Sequence, residues 1–136
     1  MPPDPQARLR AICLALPGVH EVVAHGEPTF RIRDKQFAVF ASAGNHHGNG
    51  RPAVWLKAGA GNQDVMVALM PDRFFVPPYV GPRGWLGMWL DRRVKWSEVA
   101  ELVGDGYRLV APKPKVTTPP APAKRPTRSR SGTVRR

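Results

Sequence analysis

The sequence predicts an α+β fold, in which helices cover one face of an antiparallel sheet. Sixteen prolines and thirteen glycines in 136 residues are too many for a helical bundle. The apolar pattern has a helical period near the N-terminus, a period of two between residues 19 and 58, and a helical period again near residue 100. No apolar run approaches the ~20 residues that a membrane-spanning helix requires, so no membrane partner is expected.

The first element is predicted to be a helix. Asp4 is a favourable N-cap residue, and Pro5 suits the first helical position, where its missing N–H costs nothing. An apolar stripe with helical spacing follows, made of Leu9, Ile12, Cys13 and Leu16. Pro17 ends it. Because Cys13 lies in the stripe, we interpret this single cysteine as a buried packing residue.

Four segments with a period of two are predicted strands, namely residues 20–25, 29–33, 36–40 and 53–57. Asp34 and Lys35 form a short polar break that indicates a hairpin turn between the second and third strands. Residues 44–50 are rich in glycine and asparagine, which favours a flexible connection.

A second helix is predicted after Asn62, which can act as its N-cap, and is expected to end at Pro71. Its almost continuous apolar character leaves a strand as the alternative. Residues 74–84 contain many prolines and glycines and are expected to form a loop, and residues 85–90 have strand character.

A last helix is predicted to start with Ser97 as its cap and to place Val99, Leu102 and Val103 on one face. Gly104 and Gly106 weaken its extension toward residue 110 by roughly 1 kcal/mol each relative to alanine.

Charge divides the chain into two regions. Residues 1–111 carry 13 basic and all 10 acidic side chains, whereas residues 112–136 carry 8 basic and no acidic ones. The second region is also rich in proline and poor in large apolar residues, so it cannot bury enough surface to offset the cost of ordering. We therefore predict one α+β domain over residues 1–111 and a disordered basic tail over residues 112–136.

Five short motifs, in this order, resemble the MmcQ/YjbR family. They are LPG at 16–18 with Glu21, PTFRI at 28–32, VWLK at 54–57, PYVGPRGWLGMWLD at 78–91 and VGDGYRLV at 103–110. The resemblance covers essentially residues 5–111. It implies a CyaY-like fold, a proposed "double wing" mode of DNA binding and a bacterial cytoplasmic setting, and it implies no catalytic residues. Frataxin-type iron binding uses an acidic ridge, which ten scattered acids in a basic protein do not provide.

The charge balance, a formal +11, favours a polyanionic partner, with DNA expected first and RNA sharing the same electrostatics. Eight engaged tail cations would give a salt slope of up to about −7. The candidate binding residues are Arg31, Arg33, Lys35, Lys57, Arg83, Arg92, Arg93 and Lys95 in the domain, and Lys113, Lys115, Lys124, Arg125, Arg128 and Arg130 in the tail.

Each part of this prediction has a simpler alternative. Arg31 and Arg33 have strand spacing and are expected on one face, which can equally be the solvated face of a strand that buries Phe30 and Ile32. The basic tail can equally serve solubility alone.

A function of another class is a small-molecule or protein-binding module with an aromatic pocket around Tyr79, Trp85 and Trp89, with His25 as a further member. Trp85 and Trp89 are four residues apart in a predicted strand, and we expect them to be core residues rather than a stacking platform for bases.

The residues contain no catalytic or metal-binding pattern, so a non-catalytic protein without cofactor is expected. His46 and His47 have no third ligand at a suitable spacing. The sequence contains neither a nucleophile elbow nor a phosphate-binding glycine loop. A single cysteine and the lack of a signal-peptide pattern favour a cytoplasmic location.

Overall fold

The computed structural model describes residues 4–44, 50–91 and 94–112. The elements in chain order are α1 (Pro5–Leu14), β1 (Val19–Ala24), β2 (Glu27–Ile32), β3 (Lys35–Ala41), β4 (Ala53–Leu56), α2 (Asn62–Leu69), β5 (Phe74–Phe75), a 3₁₀ turn (Gly81–Arg83), β6 (Leu86–Trp89) and α3 (Trp96–Val110). The predictions for residues 45–49, which include His46 and His47, for Arg92 and Arg93, and for the tail from residue 113 onward fall outside the described residues.

The strands form one antiparallel sheet in the order β1-β2-β3-β4-β6-β5. Alternate residues of β4 face opposite sides, since Val54 and Leu56 belong to one apolar cluster and Ala53 and Trp55 to another. The first cluster includes residues of all three helices, as buried members or packed against it. The predicted α+β fold is therefore confirmed.

The N-terminal helix begins where the sequence predicts, with the predicted cap and first residue. The Asp4 carboxylate accepts a hydrogen bond from the Ala7 N–H at 2.8 Å, and Pro5 is the first helical residue. Leu9 and Cys13 are fully buried, as the apolar stripe predicts.

The predicted caps of the other two helices are wrong, although both helices are present. Gly61 is the N-cap of α2, because the Asn62 N–H already bonds to the Gly59 carbonyl at 3.0 Å and Asn62 is itself helical. Lys95 is the N-cap of α3, and its carbonyl accepts from residues 98 and 99, so Ser97 lies inside the first turn.

Strand β5 lies in the stretch that the sequence predicts to be a loop. Phe74 and Phe75 pair with Met88 and Gly87 of β6. A Cβ on Gly87 would lie 2.4 Å from the Phe75 ring, so glycine is required where this ring crosses the strand.

Helix α3 extends through both of its glycines because it packs closely against the end of β4. Gly104 and Gly106 are both buried. A Cβ on Gly106 would lie 2.8 Å from the Lys57 carbonyl oxygen. The absence of a side chain at this position allows the close approach, which brings the last turns of α3 against the end of β4.

A β-bulge alters which side chains of β3 share a face. Phe30 pairs with Ala38, whereas the next residue, Arg31, pairs with Gln36, so Phe37 has no partner in β2. Phe37 and Ala38 therefore both join the helix-side core. Phe37 meets the Tyr107 ring edge-to-face, with the ring centroids 5.6 Å apart.

Within the described residues, no helix combines the length and apolar character needed to cross a lipid bilayer.

Candidate functional site

An open cleft of about 1240 Å³ lies on the face of the sheet that the helices do not cover. Residues of the second apolar cluster line it, namely Val39, Trp55, Val80 and Trp85. Both tryptophans are buried, with 8% and 2% of their surface exposed. The expectation that Trp85 is a core residue rather than a stacking platform is therefore met, whereas Trp89, for which the same was expected, is only half-buried.

One wall of the cleft is the segment between β5 and β6. The Val80 N–H bonds to the Pro78 carbonyl at 2.6 Å, and Tyr79 between them has a φ of 63°. This is a γ-turn of the rare, strained form with a positive central φ. The turn directs Tyr79 away from the core, and 75% of its surface is exposed.

Helix α2 fixes this wall through one side chain. The amide nitrogen of Gln63 donates to the Gly81 carbonyl at 2.9 Å and to the Trp85 carbonyl at 2.6 Å. Gly81 is the first residue of the 3₁₀ turn that carries Arg83, and Trp85 follows the turn. A single amide therefore satisfies two carbonyls and holds the turn beside the sheet.

Four cations line the cleft from separate elements: Arg31, Lys35, Lys57 and Arg83. None of the four forms an ion pair within the described residues. Elsewhere in the described chain four arginines are paired, in Arg10–Glu21, Arg51–Asp91, Arg73–Glu98 and Arg108–Asp105. The cleft thus gathers cations whose charge is not neutralised by direct contact with any carboxylate of the described residues.

Arg31 is oriented by its neighbours. Its Nε donates to the Thr29 hydroxyl at 3.0 Å, and that hydroxyl donates to the Val22 carbonyl at 2.6 Å. Thr29 is 3% exposed, which makes it the buried polar support of an accessible guanidinium.

Two carboxylates also line the cleft, Glu27 and Asp34, against the four cations. The Glu27 carboxylate accepts from the N–H and the hydroxyl of Ser42, at 2.8 and 3.0 Å. The lining therefore keeps a surplus of two positive charges, and one of its carboxylates is held by both donors of Ser42, the residue that follows β3.

Arg33 is not on the predicted strand face. Ile32 pairs directly with Lys35, so Arg33 and Asp34 form the turn, and Arg33 has a φ of 55° there. The turn therefore begins one residue earlier than the polar break indicates. A two-residue hairpin loop favours a positive φ at its first position, and Arg33 adopts it. The structure places Lys35 in the cleft and leaves Arg33 outside its lining.

Lys95 lies outside the cleft lining, at the start of α3. Its neighbour Trp96 packs against the helix-side core, with the Arg8 guanidinium 4.9 Å above its ring. Lys95 therefore belongs to the opposite side of the sheet from the four cleft cations.

The aromatic pocket predicted around Tyr79, Trp85 and Trp89 is only partly assembled. Tyr79 and Trp85 line the cleft, as does the exposed His25 in the turn between β1 and β2, but Trp89 does not. Trp89 instead stacks on Phe75 at 4.2 Å, because it follows the strand away from the cleft.

The Trp85 indole nitrogen is buried and has no hydrogen-bond partner within the described residues. A buried donor in this condition costs about 1–3 kcal/mol, and such groups deserve a functional explanation. It belongs to a residue of the cleft lining.

Sequence reasoning did not identify Thr29, Gln63, Leu109 and Val110 as site residues. Leu109 and Val110 reach the cleft from the last turn of α3. No local pattern marks any of the four residues, because their roles arise from contacts with distant elements. Val110 lies two residues before the end of the described C-terminal segment, so this segment ends close to the cleft.

In the described part of the chain, no group of three His, Cys, Asp or Glu side chains is placed to hold a metal ion. Burial, assisted by the charge of Glu21, raises the pKa of the Cys13 thiol to about 12. Cys13 is therefore a protonated packing residue on the helix side, as predicted.

Comparisons with known proteins agree with this fold. The crystal structure of the Deinococcus radiodurans protein DR2400, described as a DUF419 domain, superposes with a TM-score of 0.63 at 18% sequence identity and covers 80% of each chain. A search of curated proteins finds no significant match. The family model of YjbR matches residues 14–109, which lie within the predicted domain and exclude the basic tail. The chain thus belongs to the YjbR family.

Proposed function

We propose that this protein is a non-catalytic DNA-binding protein of the cytoplasm that holds the phosphate backbone in its cleft and with its basic tail. The observation that carries the proposal is the gathering of Arg31, Lys35, Lys57 and Arg83, none of them ion-paired among the described residues, around one concave surface. Cations that neutralise phosphates release condensed counterions, and this release supplies most sequence-independent affinity for nucleic acid.

The attachment point of the tail supports the same proposal. Val110 lines the cleft, and the eight cations of residues 112–136 follow it without a single acid. The tail is therefore tethered where it can contact phosphates next to those bound in the cleft. Linking the two raises the effective concentration of each for the same ligand.

Small-molecule binding is the second candidate. The buried Trp85 N–H without a partner and the concave shape favour it. Pockets for drug-sized molecules usually measure about 300–1,000 Å³ and are mostly apolar. A cleft of about 1240 Å³ lined by four cations fits a segment of an anionic polymer better than a compact neutral molecule.

The test is a titration of the full chain, and of a chain ending at residue 111, with labelled duplex DNA and duplex RNA at about 50 and 200 mM salt. We expect the full chain to bind both at the lower salt, with a steep salt dependence that becomes shallower after truncation. Failure to bind either polyanion at the lower salt, together with a neutral metabolite that raises the melting temperature, would reject DNA binding in favour of the second candidate.

A further inference from the structure

The cleft contains an exposed aromatic ring beside its unpaired cations. Tyr79 exposes 75% of its surface, whereas Trp55 and Trp85 on the same cleft are buried. The ring is carried by a γ-turn whose positive φ is disfavoured for a bulky residue. The fold therefore maintains a costly backbone conformation that keeps this ring out of the core.

Single-stranded and double-stranded nucleic acids differ in whether the faces of their bases are accessible to an aromatic side chain. In a duplex the faces of the bases are covered by stacking on their neighbours, so a protein ring has access only to their edges and to the backbone. In a single strand every base has a free face, and aromatic side chains next to a cationic groove are the usual means of holding it.

Two cations that line the cleft with Tyr79 can bind the phosphates of the nucleic-acid strand whose base stacks on the ring. Arg83 lies four residues further along the same wall, on the turn that Gln63 clamps, and Lys57 lines the cleft from the end of β4. The cleft also includes Trp85, whose buried indole N–H has no acceptor within the described residues.

We propose that the cleft binds a single-stranded segment of nucleic acid, with one base stacked on Tyr79 and the adjoining phosphates held by Arg83 and Lys57. The inference rests on the proposed function and adds the strandedness of the ligand and the residue that selects it. Duplex binding then depends on the cations and the tail alone.

The test compares three full-length proteins, the parent and two variants, with three probes. The variants are Tyr79→Phe, which keeps the aromatic ring, and Tyr79→Ala, which removes it. The probes are a single-stranded oligothymidylate of about 12 nucleotides, its duplex with the complementary strand, and an abasic strand of the same length with the same phosphates. Binding is followed by fluorescence anisotropy at about 50 mM salt.

We expect Tyr79→Ala to weaken binding of the oligothymidylate by roughly 5- to 150-fold, which corresponds to the loss of one stacked base. Tyr79→Phe should remain within about twofold of the parent, because the stacking face is retained. The duplex and the abasic strand should bind all three proteins equally.

Three results would overturn the inference. They are unchanged binding of the oligothymidylate by Tyr79→Ala, an equal loss on the duplex, and an equal loss on the abasic strand. In each of these cases phosphate binding persists, so the proposed function survives. If the parent binds none of the three probes, the proposed function fails as well.

The indole N–H signals of the parent protein in a ¹H–¹⁵N spectrum provide a second measurement that needs no substitution at the site. Addition of the oligothymidylate should shift the signal of Trp85, on the cleft, and leave that of Trp96, on the helix side, in place. A shift of Trp96 without one of Trp85 would put the ligand on the other side of the sheet and reject the proposal.

Discussion

The Nε of Arg31 donates a hydrogen bond to the hydroxyl of Thr29 at 3.0 Å. The hydroxyl is itself fixed by donation to the Val22 carbonyl at 2.6 Å, so the guanidinium is held by a partly buried chain of two hydrogen bonds. Pre-positioning of a cation reduces the side-chain entropy that is lost when it binds a phosphate. Of the four cleft cations, Arg31 is the one whose side chain forms a hydrogen bond within the described residues.

We predict that Thr29→Val, which keeps the shape and removes the hydroxyl, weakens binding of duplex DNA by about fivefold, equivalent to about 1 kcal/mol. Thr29→Ser, which keeps the hydroxyl, should bind within about twofold of the parent. Anisotropy titrations of both variants check the prediction. Equal affinities for Thr29→Val and the parent would show that the orientation of Arg31 does not matter.

The close approach of α3 and β4 predicts opposite effects for two neighbouring glycines. Gly106→Ala should lower the free energy of unfolding by about 1–3 kcal/mol, because its Cβ would lie 2.8 Å from the Lys57 carbonyl. Gly104→Ala is the matched control, since its Cβ would meet only the flexible Arg108 guanidinium, at 3.3 Å.

We expect Gly104→Ala to be neutral or to stabilise the protein by up to about 1 kcal/mol through helix propensity. Urea unfolding of the two variants measures the difference. The packing explanation would be wrong if both variants lost the same stability.

Burial of Cys13 predicts a thiol that reacts only after unfolding. Its pKa is raised to about 12, and its side chain is fully buried, so thiolate and access are both lacking in the folded protein. Iodoacetamide at about pH 8, followed by mass spectrometry, should label the protein in urea and not in buffer. Because the chain has a single cysteine, stoichiometric labelling of the folded protein would contradict its burial directly.

The ion pair between α1 and β1 predicts a pH-dependent contribution to stability. A hydrogen bond from Arg10 lowers the pKa of Glu21. A carboxylate with a lowered pKa stabilises the fold above its unfolded pKa, near ~4.3, and the contribution is lost as the pH falls through the folded value. Glu21→Gln should therefore be less stable than the parent at pH ~7, by less than about 1 kcal/mol since the pair is partly exposed.

The difference between Glu21→Gln and the parent should close as the pH falls below about 4. Glu101→Gln removes the same charge from an exposed position on α3 and serves as the control. Melting temperatures from pH ~3 to ~7 test this. A gap that stays constant down to the lowest pH would exclude the ion pair as its origin.

The parts of the fold that local chemistry determines could be predicted from the sequence. Asp4 and Pro5 mark the start of α1, and the period-two segments become β1 to β4. The bulge at Phe37, the pairing of β5 and the γ-turn at Tyr79 have no local signature, because long-range packing produces them. The same limit applies to the true caps of α2 and α3.

For the candidate site, too, the sequence predicts some features and the fold alone determines the others. Residue type and charge identify Arg31, Lys35, Lys57 and Arg83 as candidates, but they give Arg33 and Lys95 equal weight. Only the fold separates them, through the position of one hairpin turn and the start of one helix.

The most direct test of the account compares two pairs of substitutions with equal charge in the full chain. Lys57→Gln with Arg83→Gln removes two cations from the cleft, and Arg8→Gln with Lys95→Gln removes two unpaired cations from the helix side. The measurement is the slope of log affinity for duplex DNA against log salt. The account predicts that the cleft pair makes the slope shallower by about 1.8 while the helix-side pair leaves it unchanged. Equal changes for the two pairs would show that net charge, and not the cleft, binds the polyanion.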